Sequence, residues 1–167
     1  MYELAVLAMY LLITRWGSKN KEYAAMKLTV YLLAASCLII TAFLMVYQES
    51  GLKSFDYLKL AEKSAHFTPE FQNLIFVMLY IGFGVLAAIF PFHTWSPDGY
   101  AAAPTAASMV HAGVLKQLGA YGVLRMAYGL CPDGAAHWSF LVGFIAVCNI
   151  VYGTVIAATR KDLKYMV

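Results

Sequence analysis

Five apolar runs, roughly residues 1–16, 27–47, 73–90, 104–129 and 138–159, take up most of the sequence. A hydrocarbon core of about 30 Å is crossed by about 20 apolar residues in helix, so each run approaches or meets the length of a membrane span. Composition agrees: 62% of residues are hydrophobic, 13% are charged and mean hydropathy is +0.67. Soluble domains hold about 45–50% apolar and about 25% charged residues. The chain is expected to be an all-α, polytopic membrane protein of about five transmembrane helices. The first run begins Met-Tyr-Glu, without the basic flank and small-residue cleavage site of a signal peptide, and reads as a spanning helix. Both ends of the chain read as truncations of something longer.

The polar stretches set an orientation. The first, third and final ones carry Arg15, Lys19, Lys21, Lys27, Arg160, Lys161 and Lys164. The second and fourth carry Lys53, Lys59 and Lys63, with Arg125 close to the fourth. The richer side is predicted to be cytoplasmic. In the long second stretch, residues 48–72, the mixed sequence from Phe55 to Glu62 fits either a short interfacial helix or a solvated loop. Cys37, Cys131 and Cys148 show no CxxC or Cys/His spacing, so no disulfide framework or metal site is indicated, and they read as small core residues. The net charge of +3 is scattered without a basic stripe, which argues against nucleic acid as a partner.

Lys116 stands out because it falls deep in the fourth apolar run. A cation there is costly and usually faces a protein interior or a water-filled cavity. Glu3 lies 13 residues before Trp16 and Lys116 lies 12 residues after Pro104. At about 1.5 Å rise per residue, both sit some 18–20 Å from the same cytoplasmic boundary. On neighbouring helices the two would offset part of each other's desolvation, and the proton affinity of each would depend on the other's charge. A proton relay requires that coupling; a static ion pair joining two helices would give the same pattern.

His111, five residues before Lys116, points about 140° away from it on an ideal helix and lies nearer the cytoplasm. An imidazole there could pass protons between water and the midplane, or simply bond a carbonyl on a neighbouring helix. His93 follows Pro91, which lacks a backbone donor and tends to break a helix, so His93 is expected beside a hydrated pocket. The freed carbonyls near Leu86 and Ala87 would need water or side chains, with His93 and His111 lining the access route. His66 and His137 read as interfacial residues. The run Gly82-Phe83-Gly84-Val85-Leu86-Ala87 imitates a dinucleotide fingerprint, but no strand precedes it and small-residue helix packing explains it better. Trp16, Trp95 and Trp138, with several tyrosines, fall mostly at run ends, as an interface belt does.

The stretch Pro91-Phe92-His93-Thr94-Trp95-Ser96-Pro97-Asp98, then Ala103-Pro104-Thr105-Ala106-Ala107-Ser108, His111-Ala112-Gly113-Val114-Leu115-Lys116 and Gly119-Ala120-Tyr121-Gly122, resembles the antiporter-like membrane subunits of respiratory complex I, nearest the M-type or chain 4 type. The opening Tyr2-Glu3-Leu4 and the closing Asp162-Leu163-Lys164 fall in matching order, so the resemblance covers the whole chain. It implies a segment corresponding to the fifth through ninth helices of a larger subunit, most of one of two inverted repeats. It also implies an essential glutamate at Glu3, and a central lysine or histidine at Lys116 or its neighbour Gln117 and at His111.

Two positions depart from the family pattern. The lysine expected five residues before Pro91 is Leu86, and the family's fourth-run lysine aligns with Gln117, one residue beyond Lys116. The expected function is that of a membrane subunit of a proton-translocating NADH:quinone oxidoreductase, passing protons through Glu3, Lys116, His111 and His93. It would hold no cofactor or metal of its own; NADH, flavin, iron–sulfur clusters and quinone would belong to partner subunits. Expected partners are other membrane subunits and the lipid bilayer, in a prokaryotic plasma membrane or an equivalent energy-transducing membrane. A Mrp-type sodium/proton antiporter, an energy-converting hydrogenase subunit or a non-conducting scaffold would share these helices.

Overall fold

A computed structural model describes residues 2–18, 20–52, 54–64 and 66–160, apart from the side chains of Tyr2 and Glu3. The described residues form helices joined by short connections: α1 (Tyr2–Trp16), α2 (Lys21–Ser50), α3 (Tyr57–Ser64), α4 (Pro69–Ala87), α5 (Trp95–Ala102), α6 (residues 105–130) and α7 (Pro132–Thr159). Of these, α2, α4 and α7 are each long and apolar enough to cross a bilayer unaided. The rod α6 interleaves α-helical parts with two π-helical turns, His111–Leu115 and Val123–Ala127.

Several boundaries differ from the apolar runs. The helix α2 starts before Lys27 and runs past Tyr47, and α7 starts at Pro132, well before Trp138. Hydropathy marks the part of a helix that lies in hydrocarbon, whereas Lys21, Glu22, Gln48 and Glu49 can continue the hydrogen-bond ladder into water. Residues 57–64 of the second polar stretch are helical, with Leu60 and Ser64 turned inward. The third run does not stay helical to Phe90: α4 ends at Ala87.

That ending is a Schellman motif. Ala88 adopts φ 59 in the left-handed region, its N–H reaches the Val85 carbonyl at 3.1 Å, and the Ile89 N–H reaches back to Gly84 at 2.8 Å. The helix therefore stops four residues before Pro91, and α5 begins at Trp95. Thr94 bonds Tyr31, and Tyr31 lies ten residues, about 15 Å, along α2 from Lys21. The break thus lies part-way along α2 rather than at its end, although Pro91, Phe92 and Thr94 themselves are exposed.

Close helix approaches fix the geometry around it. A Cβ at Gly82 would meet Ile39 at 2.6 Å, and one at Gly119 would meet the Ala87 backbone nitrogen at 2.5 Å. Only glycine lets α4 lie this near α2 on one side and α6 on the other. Two apolar clusters result. One joins Val6, Met9 and Ile13 of α1 to Leu28, Leu86, Trp95, Ala107 and Leu115. The other joins Val46, Leu60, Phe76, Leu79 and Leu130 at the opposite end.

Candidate functional site

The broken helix opens a cavity of about 490 Å³. Its wall is assembled from Lys27 of α2, His93 in the break, Ser96, Asp98 and Tyr100 of α5, Lys116 of α6, and Asn149 and Tyr152 of α7. Arg160 lines it where α7 ends. Unwound backbone in a membrane bundle survives where protein or a hydrated space surrounds it, and each freed group needs a partner.

Those partners are side chains from other helices. Buried Trp95 donates its indole Nε1–H to the Val85 carbonyl at 3.0 Å, covering one of the last acceptors of α4. The Phe90 N–H donates to Asn149 Oδ1 at 3.3 Å, which ties the break to α7. Tyr152, one turn beyond Asn149, sets its ring edge-on to the His93 imidazole at 4.9 Å between centroids. Asn149 and Tyr152 thereby hold the break and His93 in place.

Lys116 reaches into this cavity. Its Nζ donates to Ser96 Oγ at 3.3 Å and lies 5.4 Å from the centre of the Tyr100 ring, whose negative face favours a cation. The π-helical turn His111–Leu115 immediately precedes it. An extra residue in one turn changes which side chain faces inward, and π-turns recur at functional sites. Here Lys116 lines the cavity while Gln117 is exposed on the outside of the bundle.

The four residues singled out from the sequence are not all brought together. His93 and Lys116 share the cavity wall. His111 does not line it: the imidazole is 4% exposed and sits between Trp95 and Tyr100, edge-on to both at 5.4 and 5.3 Å. Among the described residues neither of its ring nitrogens has a hydrogen-bond partner. Glu3 lies in α1, but its side chain falls outside the described residues. Its helix and the start of α6 share the first apolar cluster, through Met9 and Ile13 on one side and Ala107 and Leu115 on the other.

Leu86 is buried at 2% exposure in that same cluster, so the position that departs from the family pattern is packed as an ordinary core leucine. Lys27 and Asp98 escaped the sequence reading; they form an ion pair at 2.7 Å across the cavity wall. The available signal was the acidic residue inside the Pro91–Asp98 motif. The cysteines are free thiols. Burial pushes the Cys131 thiol up to about 12, which keeps it protonated and unreactive.

A model of the family described as NADH:quinone oxidoreductase/Mrp antiporter, TM, matches residues 1–167. The chain belongs to the NADH:quinone oxidoreductase/Mrp antiporter family. Among its relatives, NADH-quinone oxidoreductase subunit M of Rickettsia conorii is 34% identical over 99% of this chain and 33% of its own length. NAD(P)H-quinone oxidoreductase chain 4 of Gloeobacter violaceus is 34% identical over 98% of this chain and 31% of its own. In solved structures, respiratory complex I from Thermus thermophilus contains a chain that superposes with a TM-score of 0.89 at 25% identity, over 99% of this chain and 35% of that one. A membrane-bound sulfane sulfur reductase, an archaeal respiratory membrane complex, shares the fold at a TM-score of 0.87 and 23% identity, over 99% of this chain and 34% of that one. The chain spans about a third of the length of the relatives it matches. This antiporter-family chain is a multi-pass membrane protein of the prokaryotic plasma or thylakoid membrane.

Proposed function

We propose that this chain is the segment of a complex I-type membrane subunit through which protons pass, driven by electron transfer from NADH to quinone in partner subunits that hold the flavin and iron–sulfur clusters. One observation carries the reading: the Lys116 ammonium lies within a membrane-spanning bundle and faces a polar cavity formed by a broken helix. A lysine that can be charged or neutral there is a place to hold a proton part-way across. His93 lies on the same wall, where its ring nitrogens offer a proton donor and an acceptor beside Lys116. Glu3 and His111 are proposed as the remaining members of the relay, on α1 and beside the cavity.

The test is proton pumping by the intact assembly in sealed vesicles. Lys116→Ala should lower the number of protons moved per electron strongly, and Leu86→Ala should change it little, because trimming a core leucine costs mainly packing. A Lys116→Ala assembly that pumps normally would point to a non-conducting scaffold. The apolar burial of Leu86 favours that second reading, since it removes one relay position from α4.

A further inference from the structure

Asp98 lines the same cavity as Lys116 and is the only carboxylate that does so among the described residues. Its Oδ2 lies 2.7 Å from Lys27 Nζ, joining α5 to α2, with side chains 33% and 20% exposed. On the same short helix, Ser96 contacts Lys116. With apolar Leu86 packed into the core of α4, the polar contacts of Lys116 run through α5 instead. A serine hydroxyl can pass a proton on but cannot store one at neutral pH, whereas a carboxylate has a charged and a neutral state. Charged or titratable groups lining the cavity around Asp98 are Lys27, His93, Tyr100, Lys116, Tyr152 and Arg160.

We infer that Asp98 is the proton-loading carboxylate of the cavity, receiving protons from cytoplasmic water and passing them to Lys116, with Lys27 as its counter-charge. This rests on the proton-transport reading above. A hydronium ion in the cavity mouth gives its proton to the Asp98 carboxylate; an O–H bond forms and water is left. The neutral acid loses its hold on the Lys27 ammonium. That O–H bond then breaks as the proton moves, through water in the cavity, to the lone pair of a neutral Lys116 amine, which becomes an ammonium. The regenerated carboxylate pairs with Lys27 again. A polar space of this size accommodates the bridging water that such a transfer needs.

Carrying the proton and bracing the helices are separable roles, because either partner's removal breaks the bridge but only one removes the carboxylate. In the intact assembly in sealed vesicles, Asp98→Asn should lose proton pumping to the same extent as Lys116→Ala. Asp98→Glu should keep most of it, whereas Lys27→Met, which removes the counter-charge but leaves the carboxylate, should lose a clearly smaller part of it than Asp98→Asn. Should Asp98→Asn fail to assemble because it leaves Lys27 unpaired, the double variant Lys27→Met/Asp98→Asn removes both charges; its loss of pumping to the level of Lys116→Ala, beside a partly active Lys27→Met, supports the assignment. Normal pumping by Asp98→Asn beside an inactive Lys116→Ala overturns the assignment and leaves the transport reading standing. Equal losses in Asp98→Asn and Lys27→Met also overturn it, since the bridge would then be structural. Normal pumping by Lys116→Ala overturns the transport reading itself, and this assignment with it.

Discussion

A single charged side chain in a helix that otherwise belongs in lipid is a cost that some other residue must offset. Lys116 has a serine hydroxyl and a tyrosine face near its Nζ, and no carboxylate among its described hydrogen-bond partners. Its presence should therefore weaken the bundle while enabling transport. Lys116→Met is expected to raise the thermal midpoint of the detergent-solubilised protein, by up to about 3 kcal/mol of stability, while abolishing pumping. An unchanged or lowered midpoint would mean that the ammonium is better satisfied than its neighbours indicate. Gln72 is the opposite case. It is fully buried, its Oε1 accepts the Asp133 N–H at 3.2 Å, and its Nε2 donates to the Ser64 carbonyl at 3.1 Å. Gln72→Leu orphans the Asp133 N–H at the start of α7 and should cost about 1–3 kcal/mol in the same measurement. Lys116 was legible in the sequence because a lone cation in an apolar run is a one-dimensional signal. The Lys27–Asp98 pair was not, because 71 residues separate its members and Lys27 reads as an ordinary boundary charge.

At the scale of helices, hydropathy marked where apolar helices run but could not show where one of them breaks. Residues 74–90 carry no charged or amide side chain, and Pro91 lies four residues beyond the last helical residue, Ala87. The helix ends at Ala87 because the N–H groups of Ala88 and Ile89 turn back to Val85 and Gly84, a backbone choice that alanine does not advertise. The π-helical turn before Lys116 was equally silent: it changes facing without changing composition. Glycine spacing was more informative, since Gly119 and Gly122 sit where α6 meets Ala87 and Phe83 of α4. Gly119→Ala puts a methyl group 2.5 Å from the Ala87 nitrogen, so α6 must move away from the break. A stability loss of about 1–3 kcal/mol is expected, with Lys116 drawn off Ser96. Gly113→Ala meets nothing within 4 Å among the described residues and should gain up to about 1 kcal/mol from helix propensity alone. Thermal midpoints of the two variants check the contrast; equal effects would show that α4 and α6 do not pack closely in the membrane.

Over the whole molecule, the direction in which the chain threads the bilayer decides which face feeds the cavity. Ser18, in the connection between α1 and α2, bonds the carbonyl of Ala101 near the end of α5, and Arg160 closes α7 on the cavity wall. The cavity mouth, the α1–α2 connection and the end of α7 therefore share one face. The α3 segment, at the far end of α2 and packed with Val46 and Leu60 in the second cluster, belongs to the other. Arg15, Lys21, Lys27 and Arg160 gather on the first face against Lys59, Lys63 and Arg125, whose guanidinium lies over the Tyr57 ring, on the second; by that excess of one we propose that the first faces the cytoplasm. Protons entering beside Asp98 would then come from the cytoplasmic side, as an outward pump needs. Ser18 and Glu62 are both exposed, which makes them reporters for the two faces. A membrane-impermeant maleimide should label Ser18→Cys in inside-out vesicles and Glu62→Cys in intact cells, each variant remaining protected in the opposite preparation. The reverse pattern would put the mouth of the cavity outside, and the Asp98–Lys116 route would then have to carry protons inward.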